Sequence, residues 1–327
     1  VSKARNGYSD ISKAPREMVE QAAREMGYFP NTHARALKTK RTYNLGVLFV
    51  DDNQSGLTHS FFSTVLEAFK SEAERNGYDI TFISHNFGSN RMTYLEHCNS
   101  REVDGVCIAC VNFLDPEITA LVNSDLPVIT IDHLFNNRSC IQSNNLDGMR
   151  QLVEYVYSRG HRKVAYVHGA KSAVTDVRLG SFNRTTEELG LQVPECYLQE
   201  GLYNNPASVY HATKRLLEMR DPPTCILVSD DYATLGALEA VSDMGLKVPD
   251  DVSIAGYDGI GLMQLIKPRL TTIRQDTIRI GTEAAKRLVE LIENPKTTLP
   301  EIAVIPCTLL KGETVSRVQE STGGKIG

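Results

Sequence analysis

Four aspartates stand at the ends of apolar runs. Asp132 closes "PVITID", Asp230 and Asp231 close "CILVSDD", and Asp258 closes "SIAGYD". If these runs are parallel strands, three of them deliver carboxylates to one edge of a sheet. Two chemistries use such acids. A spaced pair can act as acid and base in glycoside hydrolysis. The same groups can instead accept hydrogen bonds from the hydroxyls of a bound sugar, which requires only geometry. A plainer use is helix capping, since Asp is favoured at helix N-termini, and Asp231 is read that way. Arg178, in "DVRLGSF", falls near the start of an expected helix, where a cation opposes the helix dipole. A ligand role therefore suits it better, and its planar guanidinium can hold two oxygens at once. Tyr203, in "EGLYNN", is an aromatic in a polar loop, for which partial burial is the simple explanation.

These side chains need a scaffold. From Asn44 onward, strand-like runs ("NLGVLFV", "DITFIS", "GVCIAC", "PVITID", "KVAYVHG", "TCILVSD", "VSIAGYD") alternate with helical stretches, among them 60–76, 146–159, 176–189, 231–244 and 277–293. Continuous Val/Ile-rich strands between amphipathic helices predict an α/β fold, a parallel sheet covered on both faces. Ligands of such sheets sit at the carboxyl ends of the strands. The segments after "NLGVLFV" and "KVAYVHG" share a strand, polar loop, helix, Gly pattern, which predicts two similar lobes facing across a cleft.

The chain shows no Walker loop, G-x-G-x-x-G, G-x-S-x-G or H-E-x-x-H motif, so catalysis and cofactor binding are not expected. The eight histidines are scattered, with none at metal-ligand spacing. His161 is read as a structural residue at the start of a strand. Cys107 and Cys110 form a CxxC, but inside an apolar run that reads as a strand, where they point to opposite faces. Seven irregularly spaced cysteines suggest reduced thiols. With no apolar run of membrane-span length and no signal peptide, the expected location is the cytoplasm.

The first 41 residues differ from the rest. Nine Lys/Arg against Asp10, Glu17, Glu20 and Glu25 make this piece net positive, while the whole chain carries −5. Such asymmetry suggests that one end meets nucleic acid. Met18, Ala22 and Met26 give helical spacing, Pro30 stops that helix and Asn31 can cap the next. Ala34 and Leu37 then share one face, ringed by Arg35, Lys38, Lys40 and Arg41. This is either a solvated linker or a minor-groove element, in which cations meet phosphates and an apolar wedge opens a base step.

"VSKARNG", "ISKAPREMVEQAAREMGYFPN" and "ARALKTKRT" resemble the DNA-binding headpiece of lactose-repressor-type (LacI/GalR) transcription regulators, truncated at its N-terminus so that the chain begins inside the helix-turn-helix. Arg5 and Pro15 depart from the family pattern. "SRGHRKVAYVHG", "RLGSF", "VSDDYATLGALEAVSDMGLKVPDDVSIAGYDG" and "PRLTTIRQDTIRIGTEAAKRLVELI" extend the resemblance over nearly the whole chain. The resemblance implies a two-lobed, periplasmic-binding-protein-like (type I) sensor behind a partial helix-turn-helix and a hinge helix. The implied division is 1–29 headpiece, 30–42 hinge and linker, 43–143 with 275–305 as one lobe, and 144–274 with 306–327 as the other. Crossings are expected near Ser143, Thr272–Arg274 and Pro306.

By this resemblance Ser2, Lys3, Asn31, His33, Ala34, Leu37 and Lys38 would contact DNA, with Leu37 as the wedge. Arg178, Asp258, Asp230 and Tyr203 would contact an effector from one lobe and Ser55, His59 and Phe61 from the other, with Asp132 a further candidate contact. The implied function is that of a dimeric repressor on a palindromic operator, with a sugar or sugar phosphate as effector and neither membrane nor cofactor involved. A purine-type corepressor system and a transporter's solute-binding protein are the alternatives. The tail "VSRVQESTGGKIG" has no leucine heptad, so a dimer without a coiled-coil tetramer is expected.

Overall fold

The computed structural model describes residues 17–18, 21–23, 25–26, 41–50, 56–87 and 90–318. The seven candidate DNA contacts and Ser55 lie outside the described residues. Residues 17–18, 21–23 and 25 are helical. The expected apolar face of this helix is reversed: Met18, Ala22 and Met26 are exposed and Ala23 is buried.

Two six-stranded sheets carry the body. The first contains β1 (Asn44–Phe49), β2 (Asp79–Ile83), β5 (Gly105–Ala109), β6 (Val128–Ile131), β7 (Ser139–Ser143) and β13 (Ile302–Ile305), in the order β13-β7-β6-β5-β1-β2. All of its pairings are parallel. A short ribbon, β3 (Asn86–Phe87) with β4 (Asn90–Arg91), lies apart from it. The second sheet contains β8 (Val164–His168), β9 (Leu198–Glu200), β10 (Cys225–Val228), β11 (Ser253–Asp258), β12 (Thr271–Gln275) and β14 (Cys307–Leu310). Its order is β14-β12-β11-β10-β8-β9, and only the β12–β14 pair is antiparallel. The α/β class expected from the alternation of strands and helices is the class observed.

Alternate residues of each strand enter different cores, as the two-residue period requires. Leu45, Val47, Cys107 and Ala109 face α1 (Ser60–Arg75) and α9 (Thr277–Glu293). Leu48, Val106 and Ile108 face the opposite side, where α2 (Tyr94–Ser100) and α3 (Pro116–Val122) pack. In the second sheet, Tyr166, Leu227 and Tyr257 pack toward α4 (Asn145–Ser158) and α5 (Ala173–Glu188). Val167, Val228 and Ile254 pack toward α6 (Pro206–Leu217) and α7 (Thr234–Asp243). Cys107 is thus a core residue of β5, and Cys110 lies past the strand end; both are free thiols.

The chain passes between the sheets at three places. β7 ends at Ser143 and α4 begins at Asn145. β12 ends at Gln275, and α9 then packs on the first sheet. Pro306 separates β13 in the first sheet from β14 in the second. His161 is buried and holds two elements together, through Nδ1 to Thr224 Oγ1 at 3.0 Å and Nε2 to the Ser316 carbonyl at 3.2 Å. That is the structural role expected of it.

Candidate functional site

The acids do not share one sheet edge as expected: Asp132 follows β6 of the first sheet, while Asp230 and Asp231 follow β10 and Asp258 ends β11 of the second, so Arg178 lies among acids from both lobes. It lies in the second turn of α5, capped by Ser172, so the dipole of the first turn does not act on it as the sequence reading assumed. Its side chain is 3% exposed. Nε donates to Asn145 Oδ1 at 2.8 Å, Nη1 donates to the Ser229 carbonyl at 2.9 Å, and the guanidinium carbon sits 3.6 Å from the Tyr257 ring centroid. Burial disfavours its charge, yet Tyr257, Tyr203 and Asp258 around it hold its pKa above the ordinary arginine value.

Asp132 and Asp258 flank this cation, and both are part-exposed. Asp132, at the end of β6, has φ 59, and Asp258, at the end of β11, has φ 112. Positive φ in a non-glycine residue costs energy and persists where surrounding structure enforces it, commonly at ligand sites. Asp132 Oδ1 accepts from Ser143 N at 3.1 Å. Asp258 Oδ1 accepts from Gln275 Nε2 at 2.7 Å. Burial raises the pKa of both carboxyls, and Arg178 partly opposes the shift. For Asp258, with Asp230 also nearby, the value rises to about 8. At neutral pH its carboxyl is mostly protonated and can donate a hydrogen bond as well as accept one.

Tyr203 lies beside the cluster. Its hydroxyl is 2.9 Å from Thr175 Oγ1, and its ring lies against Gly169, where a Cβ would come within 2.1 Å of it. Asp230 is 5% exposed, and both of its oxygens are occupied: Oδ1 by Ala233 N at 2.7 Å, Oδ2 by Asn204 N at 3.0 Å and Ser229 Oγ at 3.3 Å. Its role in this geometry is to clamp the loop that presents Tyr203. Asp231 requires a correction. It does not cap the helix that follows it. Its Oδ2 accepts from Ile260 N at 2.9 Å and its Oδ1 from Thr272 Oγ1 at 2.6 Å, so it ties β10 to β12 and to the turn after β11. The local, cap-like bond to the start of α7 comes from Asp230 instead, because the chain turns one residue earlier than the spacing implied.

The lobe of the first sheet, which supplies Asp132, also contributes the N-terminus of α1. His59 caps that helix, with Nδ1 3.5 Å from Phe62 N. Phe61, with Ser60 and Thr64, faces Asp258, Ile260 and Arg274 across a cleft of about 260 Å³. That is near the lower end of the roughly 300–1,000 Å³ typical of small-molecule clefts. Among the described residues, Tyr166 OH and Gln275 Oε1 are buried without a hydrogen-bond partner, while Ser143 Oγ and Tyr257 OH have only the Cys307 thiol beside them. Such orphans are rare and call for an explanation. Ser143 and Gln275 are the last residues of two strands that lead to crossings, and Tyr166 and Tyr257 lie in the central strands of the second sheet.

Sequence reasoning missed Asn145, Ser143, Gln275 and Tyr257. The crossings near Ser143 and Thr272–Arg274 were the available signal, since polar residues at a chain crossing are placed between lobes.

Comparisons with known proteins agree with this geometry. A family model described as a periplasmic binding protein-like domain matches residues 153–315. The chain is 26% identical over 323 residues to the HTH-type transcriptional repressor PurR of Pasteurella multocida strain Pm70, covering 97% of this chain and 95% of that protein. It is 26% identical over 306 residues to the probable HTH-type transcriptional repressor ExuR of Bacillus subtilis strain 168, covering 92% and 90%. The lac repressor dimer bound to operator and the anti-inducer ONPF superposes with a TM-score of 0.79 at 26% identity, covering 96% of this chain and 94% of that one. Among the described residues, no helix is long and apolar enough to cross a membrane. The two-sheet architecture, the cleft between them and these full-length similarities place the chain in the LacI/GalR family of transcription regulators.

Proposed function

We propose that this protein is a cytoplasmic repressor that binds a palindromic operator as a dimer through residues 1–42 and is controlled by a hydroxyl-rich small molecule in the interlobe cleft. It acts by binding and not by catalysis. The observation that carries the effector reading is the convergence of Arg178, Asp132, Asp258 and Tyr203 with the buried, unpaired Tyr166 hydroxyl and Gln275 side-chain carbonyl. A sugar presents hydroxyls that both donate and accept, which is what a set of carboxyls, phenols and one guanidinium can satisfy together. Arg178 is the cluster's cation, and it faces two carboxyls with its fork already engaged by Asn145 and Ser229. Nε and Nη1 of that cation are already taken, which leaves the carboxyls and phenols as the main ligand contacts and favours a neutral sugar over a sugar phosphate.

Phe61, which lines the cleft, and the aromatic Tyr203 also suit a flat base, so a purine acting as corepressor is the second reading. The effector must bind one lobe arrangement better than the other, because equal affinity would shift nothing.

The test is the melting temperature of the protein against mono- and disaccharides, sugar phosphates and purines. A ligand at a hundred times its Kd adds about 2.7 kcal/mol to the folded state. A shift with neutral sugars alone supports the main reading, and a shift with purines alone replaces it. In the DNA arm, Leu37→Ala should weaken specific operator binding while leaving effector binding intact.

A further inference from the structure

The cleft and the segment preceding the body are tied to opposite ends of one helix. At the cleft end, Gln275 donates to Asp258. The next residue, Asp276, caps α9, its Oδ1 accepting from Arg279 N at 3.0 Å. The helix runs for 17 residues, about 25 Å at the usual rise. At its far end the carbonyls of Ile292 and Glu293 each accept from Arg41 Nη2 at 3.2 Å, and Arg41 Nη1 lies 3.8 Å from Glu293 Oε1. A cation on the terminal carbonyls of a helix satisfies acceptors that have no partner within the helix. The following residues are fixed to the same lobe by one carboxylate: Asp104 accepts from Thr42 N at 2.9 Å through Oδ1 and from Tyr43 N at 2.7 Å through Oδ2.

The helix between these ends is held as a rigid element. Ile280, Ala284, Ala285, Leu288, Val289 and Ile292 are all buried in the first sheet's core. Gly281 allows the backbone of α1 to approach so closely that a Cβ there would stand 2.1 Å from the Val65 carbonyl. α1 itself starts at the cleft, where Ser60, Phe61 and Thr64 line one wall.

We infer that α9 is a rod that carries the state of the cleft, through Gln275, to residues 41–43, with Arg41 as the positioning residue that receives it. The segment upstream of Arg41 carries the DNA-contacting candidates, so the rod deepens the proposed function and rests on that reading for its purpose. A change in the Asp258–Gln275 bond displaces the start of α9, and tight packing against α1 leaves the displacement nowhere to dissipate before the Arg41 end.

The test needs neither operator nor effector. Amide exchange of residues 41–43 is compared between the unaltered protein, Gln275→Met, and Val241→Ala as a control with its core defect in the other lobe, at temperatures equally far below each Tm. Gln275→Met removes the bond to Asp258 while preserving side-chain length. Exchange of the Thr42 and Tyr43 amides should rise about threefold or more in Gln275→Met and stay at the reference rate in the control. Arg41→Gln should abolish the difference that Gln275→Met makes, and Arg41→Lys should retain part of it. Equal exchange in Gln275→Met and the control overturns the rod, as does an undiminished Gln275 effect in the Arg41→Gln background. Loss of the functional reading would show separately, as no operator binding and no ligand-induced Tm shift.

Discussion

The guanidinium of Arg178 lies 3.6 Å from the ring centroid of Tyr257, and both side chains are buried. Arg178 is therefore part of the core of its lobe as well as a proposed ligand contact. Arg178→Ala would leave Asn145 Oδ1 and the Ser229 carbonyl unpaired and open a void over the Tyr257 ring. A loss of about 2–4 kcal/mol is expected, visible as a fall in Tm without added ligand. The sequence suggests a ligand role for Arg178; the structure adds a packing role in the core. Arg178→Lys keeps the charge but not the planar fork. It should lose most of any sugar-induced Tm shift while remaining folded. An undiminished shift in Arg178→Lys would remove the guanidinium from the ligand site.

Asp258 makes the stability of the body depend on pH. Its folded pKa of about 8 lies above the ordinary value of 3.8. A raised carboxyl pKa means that the folded state holds its proton more tightly than the unfolded state. The contribution is fully present below about pH 4 and is lost as pH rises through about 8. Asp258→Asn cannot ionise, so its Tm relative to the unaltered protein should improve between pH 5 and pH 8, with a slope approaching about 1.4 kcal/mol per pH unit at most. Melting curves at four pH values would show this. A difference that does not change with pH would mean that Asp258 is ionised throughout the range.

The layering of the fold was legible because β1, β5, β8, β10 and β11 are unbroken apolar runs, which periodicity detects. The strands it did not find are β7 ("SCIQS"), β9, β12 ("TTIRQ"), β13 and β14. β9, β13 and β14 are sheet edges or beside a crossing, and β7 and β12 carry Ser, Gln and Thr because they end at the cleft. Their polarity hid the strands. The positions of Asp132 and Asp258 were readable because each ends an apolar run. The roles of Asp230 and Asp231 were not, because consecutive residues at a strand end point in different directions, and which of the two meets the helix depends on where the chain turns. Asn145 and Tyr257 were invisible for a different reason: their importance lies in contacts with Arg178 from 33 residues away in one case and from β11, two strands across the sheet from β8, in the other.

Asp104 is a candidate for separating the body's stability from the order of its leading segment. Its carboxylate receives the amides of Thr42 and Tyr43 and the Thr42 hydroxyl. Asp104→Ala leaves two N–H groups without this acceptor, at a local loss of roughly 1–3 kcal/mol. The consequence should be confined to opening of residues 41–43. Limited proteolysis should cut faster near Arg41, while the main melting transition shifts little. A matching fall in Tm would instead show that the clamp supports the whole lobe.

Gly281 tests how closely α1 and α9 must approach. The Cβ of Gly281→Ala would lie 2.1 Å from the Val65 carbonyl and 2.8 Å from Phe69 N. Both are backbone atoms of α1, so no side chain can rotate away, and the helices must separate. Alanine favours a helix over glycine by about 1 kcal/mol, so propensity alone predicts stabilisation. Overpacking of this kind usually costs about 1–3 kcal/mol, and a backbone clash places it at the upper end. The net expectation is a loss, read as a Tm lower by a few degrees. A Tm equal to or above that of the unaltered protein would mean that α1 and α9 can slide apart at little cost, and a pair that slides so freely could not act as a rigid element between Gln275 and Arg41.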